Sequence, residues 1–395
     1  MKNWIIVLCT VFIVFVGVSI PVYAEEGNDS DKKTDSLNLA SKAKSAFLLE
    51  QDTGTILYDK NAHEKLPPAS MTKIMTLLLI MEALDNGKIQ LDEKIRISEN
   101  AASMGGSQIF LEAGEEMTVN DLLKGVAIAS GNDASVALAE RIAGSEEAFV
   151  KKMNEKVKEL GLKDTKFQNP TGLPADDHYS TAYDMAIIAQ HLLKYENITE
   201  YTSKYEDYLR KGQDNEFWLV NTNKLVKFYP GVDGLKTGYT NEAKYCLTAT
   251  AKKNDMRVIA VVMGADSPKV RNSIVSNMLD YSFQHFETTN LYKKGAQVAK
   301  LNLLKAKESD IKIVASQPIS TVHKKGEKAE KFTTSIELNE SISLPLKKGE
   351  QVGTIFVKNG DKILSKTPLV VEKKAEPASI FTLFNRTLQK IAKYN

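Results

Sequence analysis

Cysteine is scarce in this 395-residue chain, which has two, Cys9 and Cys246. So few thiols exclude a disulfide framework and a thiolate metal cluster. Histidine is also sparse. His63, His178, His191, His285 and His323 are scattered, with no helix-spaced pair, which argues against a zinc hydrolase. No G-x-S-x-G elbow occurs, which disfavours a Ser-His-Asp hydrolase of that type. Excess charge is missing too. The 52 Lys and Arg nearly cancel 50 Asp and Glu, leaving +2, too little for a general electrostatic grip on nucleic acid. A nearly uncharged apolar run stands at the N-terminus.

That N-terminal run reads as a secretory signal over residues 1–24. Lys2 supplies the positive start, an apolar stretch runs from Trp4 to Ile20, and Val22-Tyr23-Ala24 presents small residues for cleavage after Ala24. An uncleaved anchor is the alternative, because the run approaches spanning length. Either way the rest of the chain lies outside the cytoplasm. Cys9 belongs to the signal, so Cys246 has no partner in the mature chain and reads as a small core residue.

A polar leader fills residues 25–39, and the catalytic part is expected over 40–290. A hairpin is predicted from strands at 46–49 and 56–58 around Asp52-Thr53-Gly54. A helix follows from Ser70, stopped upstream by Pro67 and Pro68. It is apolar on almost every face, which predicts a central, buried helix. Further helices are predicted at 119–129, 133–142, 145–160, 181–194 and 270–283, and strands at 234–240, 245–251 and 256–263. This is the pattern of an α/β (α+β) sheet with a helical cluster packed on it. From 291 to 372 the segments become alternating and β-branched, which predicts a small all-β domain. Residues 373–395 read as a linker and an amphipathic helix. Ile380, Phe381, Phe384, Leu388 and Ile391 recur at three- and four-residue steps, which suits a helix lying in a membrane interface.

Three short motifs carry the chemistry: Ser70-Met71-Thr72-Lys73, Ser130-Gly131-Asn132 and Lys236-Thr237-Gly238. The first spacing recurs at Ser30, Ser41 and Ser309, so context has to choose. Of these serines, Ser70 alone opens a buried helix. Residues three apart share a helix face, so the Lys73 amine reaches the Ser70 hydroxyl. A serine hydroxyl needs a base to take its proton. Lysine, with a reference pKa of about 10.4, serves only if burial and a nearby cation lower it. Lys236 is the candidate cation. The helix start offers N–H groups for an oxyanion hole. Gly131 is expected to let the chain turn, presenting Ser130 to pass a proton and Asn132 to bond a substrate amide. Ser130 alone would read as a helix cap. Lys236 sits on a predicted strand, where it can attract a carboxylate.

In order and spacing these motifs resemble the serine-type D-alanyl-D-alanine carboxypeptidases of the low-molecular-mass penicillin-binding protein family. The matching stretches are Pro68-Ala69-Ser70-Met71-Thr72-Lys73, Ala129-Ser130-Gly131-Asn132-Asp133 and Asp233-Gly234-Leu235-Lys236-Thr237-Gly238-Tyr239-Thr240. The resemblance is nearest to the Gram-positive, sporulation-type branch. It implies a penicillin-binding/β-lactamase-like transpeptidase domain, a C-terminal all-β domain and a membrane-anchoring helix at the outer face of the cytoplasmic membrane. It further implies Ser70 as nucleophile, Lys73 as base and Ser130 as proton relay. Asn132, Lys236, Thr237, Gly238, Tyr239 and Arg271 would bind substrate, with the Tyr239 N–H completing the oxyanion hole. The implied partners are stem peptides ending in D-Ala-D-Ala and β-lactams, with no metal, cofactor or nucleic acid. A Glu-x-x-Leu-Asn pattern, the deacylating signature of class A β-lactamases, is absent before Lys236. Asn169-Pro170-Thr171-Gly172-Leu173 stands in that region. A β-lactamase is therefore disfavoured, and a non-catalytic penicillin-binding wall protein is the rival from another class.

Overall fold

Residues 37–327 and 332–394 are described by the structure, a computed structural model. The segment read as a signal and most of the expected leader lie outside the described residues. Sixteen strands are named in chain order. β1 (Ser45–Glu50) and β2 (Ile56–Lys60) form the expected hairpin. Two short hairpins follow, β3 (Lys94–Arg96) with β4 (Glu116–Thr118) and β5 (Glu206–Leu209) with β6 (Phe217–Val220). Next come β7 (Val232–Thr240), β8 (Lys244–Lys253) and β9 (Met256–Ala265). The main sheet runs β2-β1-β9-β8-β7, and all its pairs are antiparallel.

This sheet is apolar on both faces because layers cover both. Phe47 and Leu49 of β1, with Ile259, Val261 and Met263 of β9, enter the core beneath the helical cluster. Their neighbours Ala46, Leu48, Val258, Ala260 and Val262 enter a second core. That period of two is what a half-buried strand shows, here repeated on each face. The second core is closed by the helix Pro268–His285, which supplies Val275, Met278 and Leu279. Its start is marked by Ser267, whose side chain accepts from the Val270 N–H, and by Pro268 in the first turn.

The central helix, Lys73–Asp85, is buried almost all round, as its composition predicts. It packs against the helices Asn132–Ala143 and Ala182–Leu192. The helix Val119–Ala127 is capped by Thr118, Glu146–Glu159 by Ser145, and Ala182–Leu192 by Thr181. In each the hydroxyl accepts from the N–H three residues on. One expectation changes. Ser70 does not open the α-helix but lies in a 3-10 turn, Ala69–Thr72, and the helix proper starts at Lys73.

β10 (Phe286–Tyr292) continues directly from the Pro268–His285 helix, followed by β11 (Gln297–Asn302), β12 (Asp310–Ala315) and β13 (Ile319–Lys324). β14 (Thr333–Leu338), β15 (Gln351–Asn359) and β16 (Lys362–Val371) complete the set. β10 pairs with β13, and the others form a second five-stranded sheet, β11-β12-β16-β15-β14. Neither β10 nor β13 is foreseen in the sequence reading. Ile313, Ile355, Val357 and Leu369 form its own apolar core. The Ser320 hydroxyl donates to Asp52 Oδ2 at 3.0 Å, bonding this part to the β1–β2 hairpin.

The terminal helix, Ile380–Tyr394, follows. Arg386 on it donates to the Leu304, Ala306 and Lys307 carbonyls, which docks one side on the β domain. Ile380, Phe381 and Phe384 stay uncovered, at 87%, 73% and 60% exposure.

Candidate active site

The chain around Ser70 is held in a tight local shape. Ala69 has a positive φ of 48°, outside the usual range for a side chain with a Cβ. Two glycines let neighbouring segments close on this turn. A Cβ at Gly172 would lie 1.9 Å from the Ala69 carbonyl oxygen, and one at Gly238 would lie 2.7 Å from that of Pro68. β7 and the 169–173 segment therefore press directly on the turn that presents Ser70.

Lys73 is fully buried, and its Nζ meets three oxygens. Ser70 Oγ lies at 3.2 Å, Asn132 Oδ1 at 2.6 Å and the Thr171 carbonyl at 2.6 Å. Burial pushes its pKa well below the ordinary lysine value, the neighbouring Lys236 charge adds to this, and Asp133 opposes it. A neutral amine has two N–H groups and one lone pair. In the neutral form, the two shorter contacts would take the N–H groups and leave the lone pair for the Ser70 hydroxyl.

Ser130 and Asn132 sit where the helices Val119–Ala127 and Asn132–Ala143 meet. The expected role of Gly131 is corrected here. The left-handed residue is Ser130, with φ of 66°, while Gly131 has an ordinary φ of −55°. Glycine is needed at 131 for space, since a Cβ would lie 2.9 Å from Asp133 Oδ1. Asn132 is also engaged differently from expectation. Its Oδ1 accepts from Lys73, and its Nδ2 donates to the Gly105 carbonyl at 2.6 Å. Its amide thus bridges the Lys73 amine and the Gly105 carbonyl within the protein.

β7 brings Lys236, Thr237, Gly238 and Tyr239 alongside. Lys236 is buried, and burial together with the Arg271 charge lowers its pKa to about 7. Thr237 Oγ1 donates to Thr222 Oγ1 at 2.8 Å. Arg271, from the Pro268–His285 helix, is itself buried and holds Asn272 Oδ1 through Nε at 3.1 Å and Nη2 at 2.9 Å. Tyr239 is half exposed, with its ring 4.5 Å from that of Tyr245. Cys246 is buried and its thiol reaches the Ala243 carbonyl at 3.4 Å, as a core residue would. Its pKa is raised to about 11 by burial, so it is no thiolate nucleophile.

The sequence reading gives no role to three groups that the structure places here. The Thr171 carbonyl is presented by an Asx turn, in which Asn169 Oδ1 accepts from the Thr171 and Gly172 N–H groups at 3.1 and 2.7 Å. The Asn-Pro-x-Gly pattern signals such a turn, but its target is remote in sequence. Asp133 accepts from the Ile109 and Leu111 N–H groups at 2.9 and 3.2 Å, pinning the loop that carries Gly105. His178 is the third, with its Nε2 2.8 Å from Thr72 Oγ1. Among the described residues, no group of three His, Cys, Asp or Glu side chains is placed to hold a metal ion.

Comparisons with known proteins agree with this layout. Residues 31–267 match the family described as D-alanyl-D-alanine carboxypeptidase, and residues 286–377 match the C-terminal domain of penicillin-binding protein 5. The chain is 56% identical to the D-alanyl-D-alanine carboxypeptidase DacF of Bacillus subtilis, over 96% of this chain and 97% of that one. It is similar to penicillin-binding protein 5 of Haemophilus influenzae, with a TM-score of 0.66, 32% identity and coverage of 85% and 98% of the two chains. It is also similar to penicillin-binding protein D2 of Listeria monocytogenes in a cefotaxime-bound form. There the TM-score is 0.56 and the identity 32%, over 61% of this chain and 97% of that one.

Proposed function

The chain belongs to the D-alanyl-D-alanine carboxypeptidase family and is a serine-type enzyme of that activity, and from this premise we propose how its residues divide the work. The Ser70 hydroxyl attacks the penultimate D-Ala carbonyl of a stem peptide while the Lys73 lone pair takes its proton. The N–H groups of Ser70 and Tyr239 hold the oxyanion. Ser130 passes a proton to the departing amine, so the C–N bond breaks and terminal D-alanine leaves. Water then hydrolyses the Ser70 ester and restores the hydroxyl. Lys236 and Thr237 bind the terminal carboxylate, with Arg271 adding positive charge, and Gly238 lets the substrate backbone approach. Asn132 aligns Lys73 and meets the acyl amide.

One observation carries this reading: Lys73 Nζ has two short acceptors and faces Ser70 Oγ at 3.2 Å. The test is intact-mass measurement after penicillin treatment, alongside D-alanine release from a D-Ala-D-Ala peptide. Wild type should carry one persistent adduct and Ser70→Ala none. An adduct on Ser70→Ala would contradict the assignment.

The domain limits 40–290, 291–372 and 373–395 remain part of this reading, supported by the separate apolar core of the second sheet. So does a site of action at the outer face of the cytoplasmic membrane, supported by the signal pattern and the bare apolar edge of the terminal helix. No helix among the described residues is long and apolar enough to cross a membrane, so the proposed attachment is interfacial. A role in sporulation is the finest part of the reading. Spore peptidoglycan whose stems are unchanged in a strain lacking the enzyme would remove it.

A further inference from the structure

We infer that His178 is a positioning residue for acyl transfer: its imidazole pins Thr72 and thereby fixes the turn that carries Ser70 and Lys73. The inference rests on the Ser70–Lys73 reading above. His178 lies in the segment after the Asn169 turn and is buried, as is Thr72. The Gln168 N–H donates to His178 Nδ1 at 3.2 Å. Nδ1 therefore carries no proton, and the neutral ring holds its proton on Nε2. That N–H donates to Thr72 Oγ1 at 2.8 Å. Burial lowers the His178 pKa to about 4, which keeps the ring in this form at neutral pH. The Phe167 ring packs against it edge-on at 5.8 Å.

Three bonds tie the same segment to the start of the central helix. Besides the Thr72 bond, the Thr171 carbonyl accepts from Lys73 at 2.6 Å and the Pro170 carbonyl accepts from Thr76 at 2.7 Å. Thr72 and Thr76 are four residues apart and so share a face. The His178 bond is the one of the three made to the 3-10 turn itself, at the residue just before Lys73. Reacting groups lose rate steeply when displaced by about 1 Å. A slack Thr72 lets the Ser70 hydroxyl and the Lys73 lone pair drift apart.

A purely structural role would have His178 hold its own segment through Gln168 and do no more. Two variants separate the roles. His178→Asn keeps an acceptor at the Nδ1 position but is too short to reach Thr72. Thr72→Val removes the acceptor from the other side and leaves the Gln168 bond intact. Each should lower kcat for D-alanine release about tenfold or more, with KM within about twofold and the melting temperature nearly unchanged. His178→Gln, whose amide reaches as far as Nε2, should keep most of the activity. The double variant His178→Asn/Thr72→Val should be no slower than the slower single, because both remove one interaction. Wild-type kcat in both folded singles, losses that multiply, or a loss confined to KM would overturn the inference. Ser70→Ala in the same series keeps the two readings apart. An adduct there overturns the underlying assignment, whereas no adduct there with fully active His178→Asn and Thr72→Val overturns only the role of His178.

Discussion

Lys73, Lys236, Arg271, Asp133, Asp184 and Glu50 are all buried in and around the main sheet and its helices. Among the described residues of the C-terminal strands, the buried polar side chains are Ser320, Thr321, Ser365 and Thr367, none with a formal charge. The two parts otherwise rest on the same physics, a sheet with an apolar core. Taking an ion out of water costs several kcal/mol, so a fold selected only to be stable has no reason to hold two lysines and an arginine together. In the catalytic part that unfavourable arrangement has a use. It drives Lys73 toward the neutral amine, and in the proposed mechanism it sets the Lys236 and Arg271 charges to meet the substrate carboxylate.

The largest expected effect breaks the comparison at its centre. Lys73→Ala removes the proposed base, and general-base contributions of 10²–10⁴-fold are typical. Acylation by penicillin should slow by about that range, with the fold retained, as judged by stopped-flow rates and thermal melting. A Lys73→Ala protein that acylates at the wild-type rate would show that the buried charge is not the base. Next is the other part of the molecule. Phe381→Glu/Phe384→Glu places two charges on the bare edge of the terminal helix. Burying a phenylalanine contributes about 1.5–3 kcal/mol, so the double variant should lose roughly 100-fold or more in affinity for anionic vesicles in sedimentation assays. Its acylation rate should not move. Unchanged vesicle binding would remove the proposed anchor.

A smaller effect sharpens the contrast within the main sheet. Glu50, beside the Asp52–Ser320 contact, has its pKa raised from 4.5 to about 7, first by burial and then by the Asp52 charge. A carboxyl raised on folding favours the folded state below its unfolded pKa, and that contribution is lost as pH rises through about 7. The cost at pH 8 is on the order of 3 kcal/mol at about 1.4 kcal/mol per unit. Glu50→Gln should therefore be more stable than wild type in urea at pH 8, with the gap closing towards pH 4.5. An equal difference at both pH values would show that ionisation of Glu50 is not its source.

Much of the fold was legible because it rests on local pattern. The all-round apolar run 71–84 announced the central helix, and alternation announced most strands. β3 to β6, β10 and β13 escaped: the first four are only three or four residues long, and β10 continues without a break from a helix and pairs with β13 about 30 residues on. The site was legible in its residue types, since Ser70, Lys73, Ser130, Asn132 and Lys236 stand in three compact motifs. Its geometry was not. The positive φ values of Ala69 and Ser130 are not signalled by the residues themselves, since neither is a glycine. The bonds from Lys73 to Thr171 and from Thr72 to His178 span 98 and 106 residues, beyond the reach of any local signal.

The protonation state of Lys73 is open to direct measurement. Lysine labelled with ¹³C at Cε can be titrated by NMR in the full-length protein, with the Lys73 signal assigned by its loss in Lys73→Arg. The midpoint should lie well below the ordinary lysine value of about 10.4, and it should rise in Lys236→Met, where a neighbouring positive charge is gone. A Lys73 that stays protonated up to pH 10 and ignores Lys236→Met would contradict the claim that buried charge makes it a base.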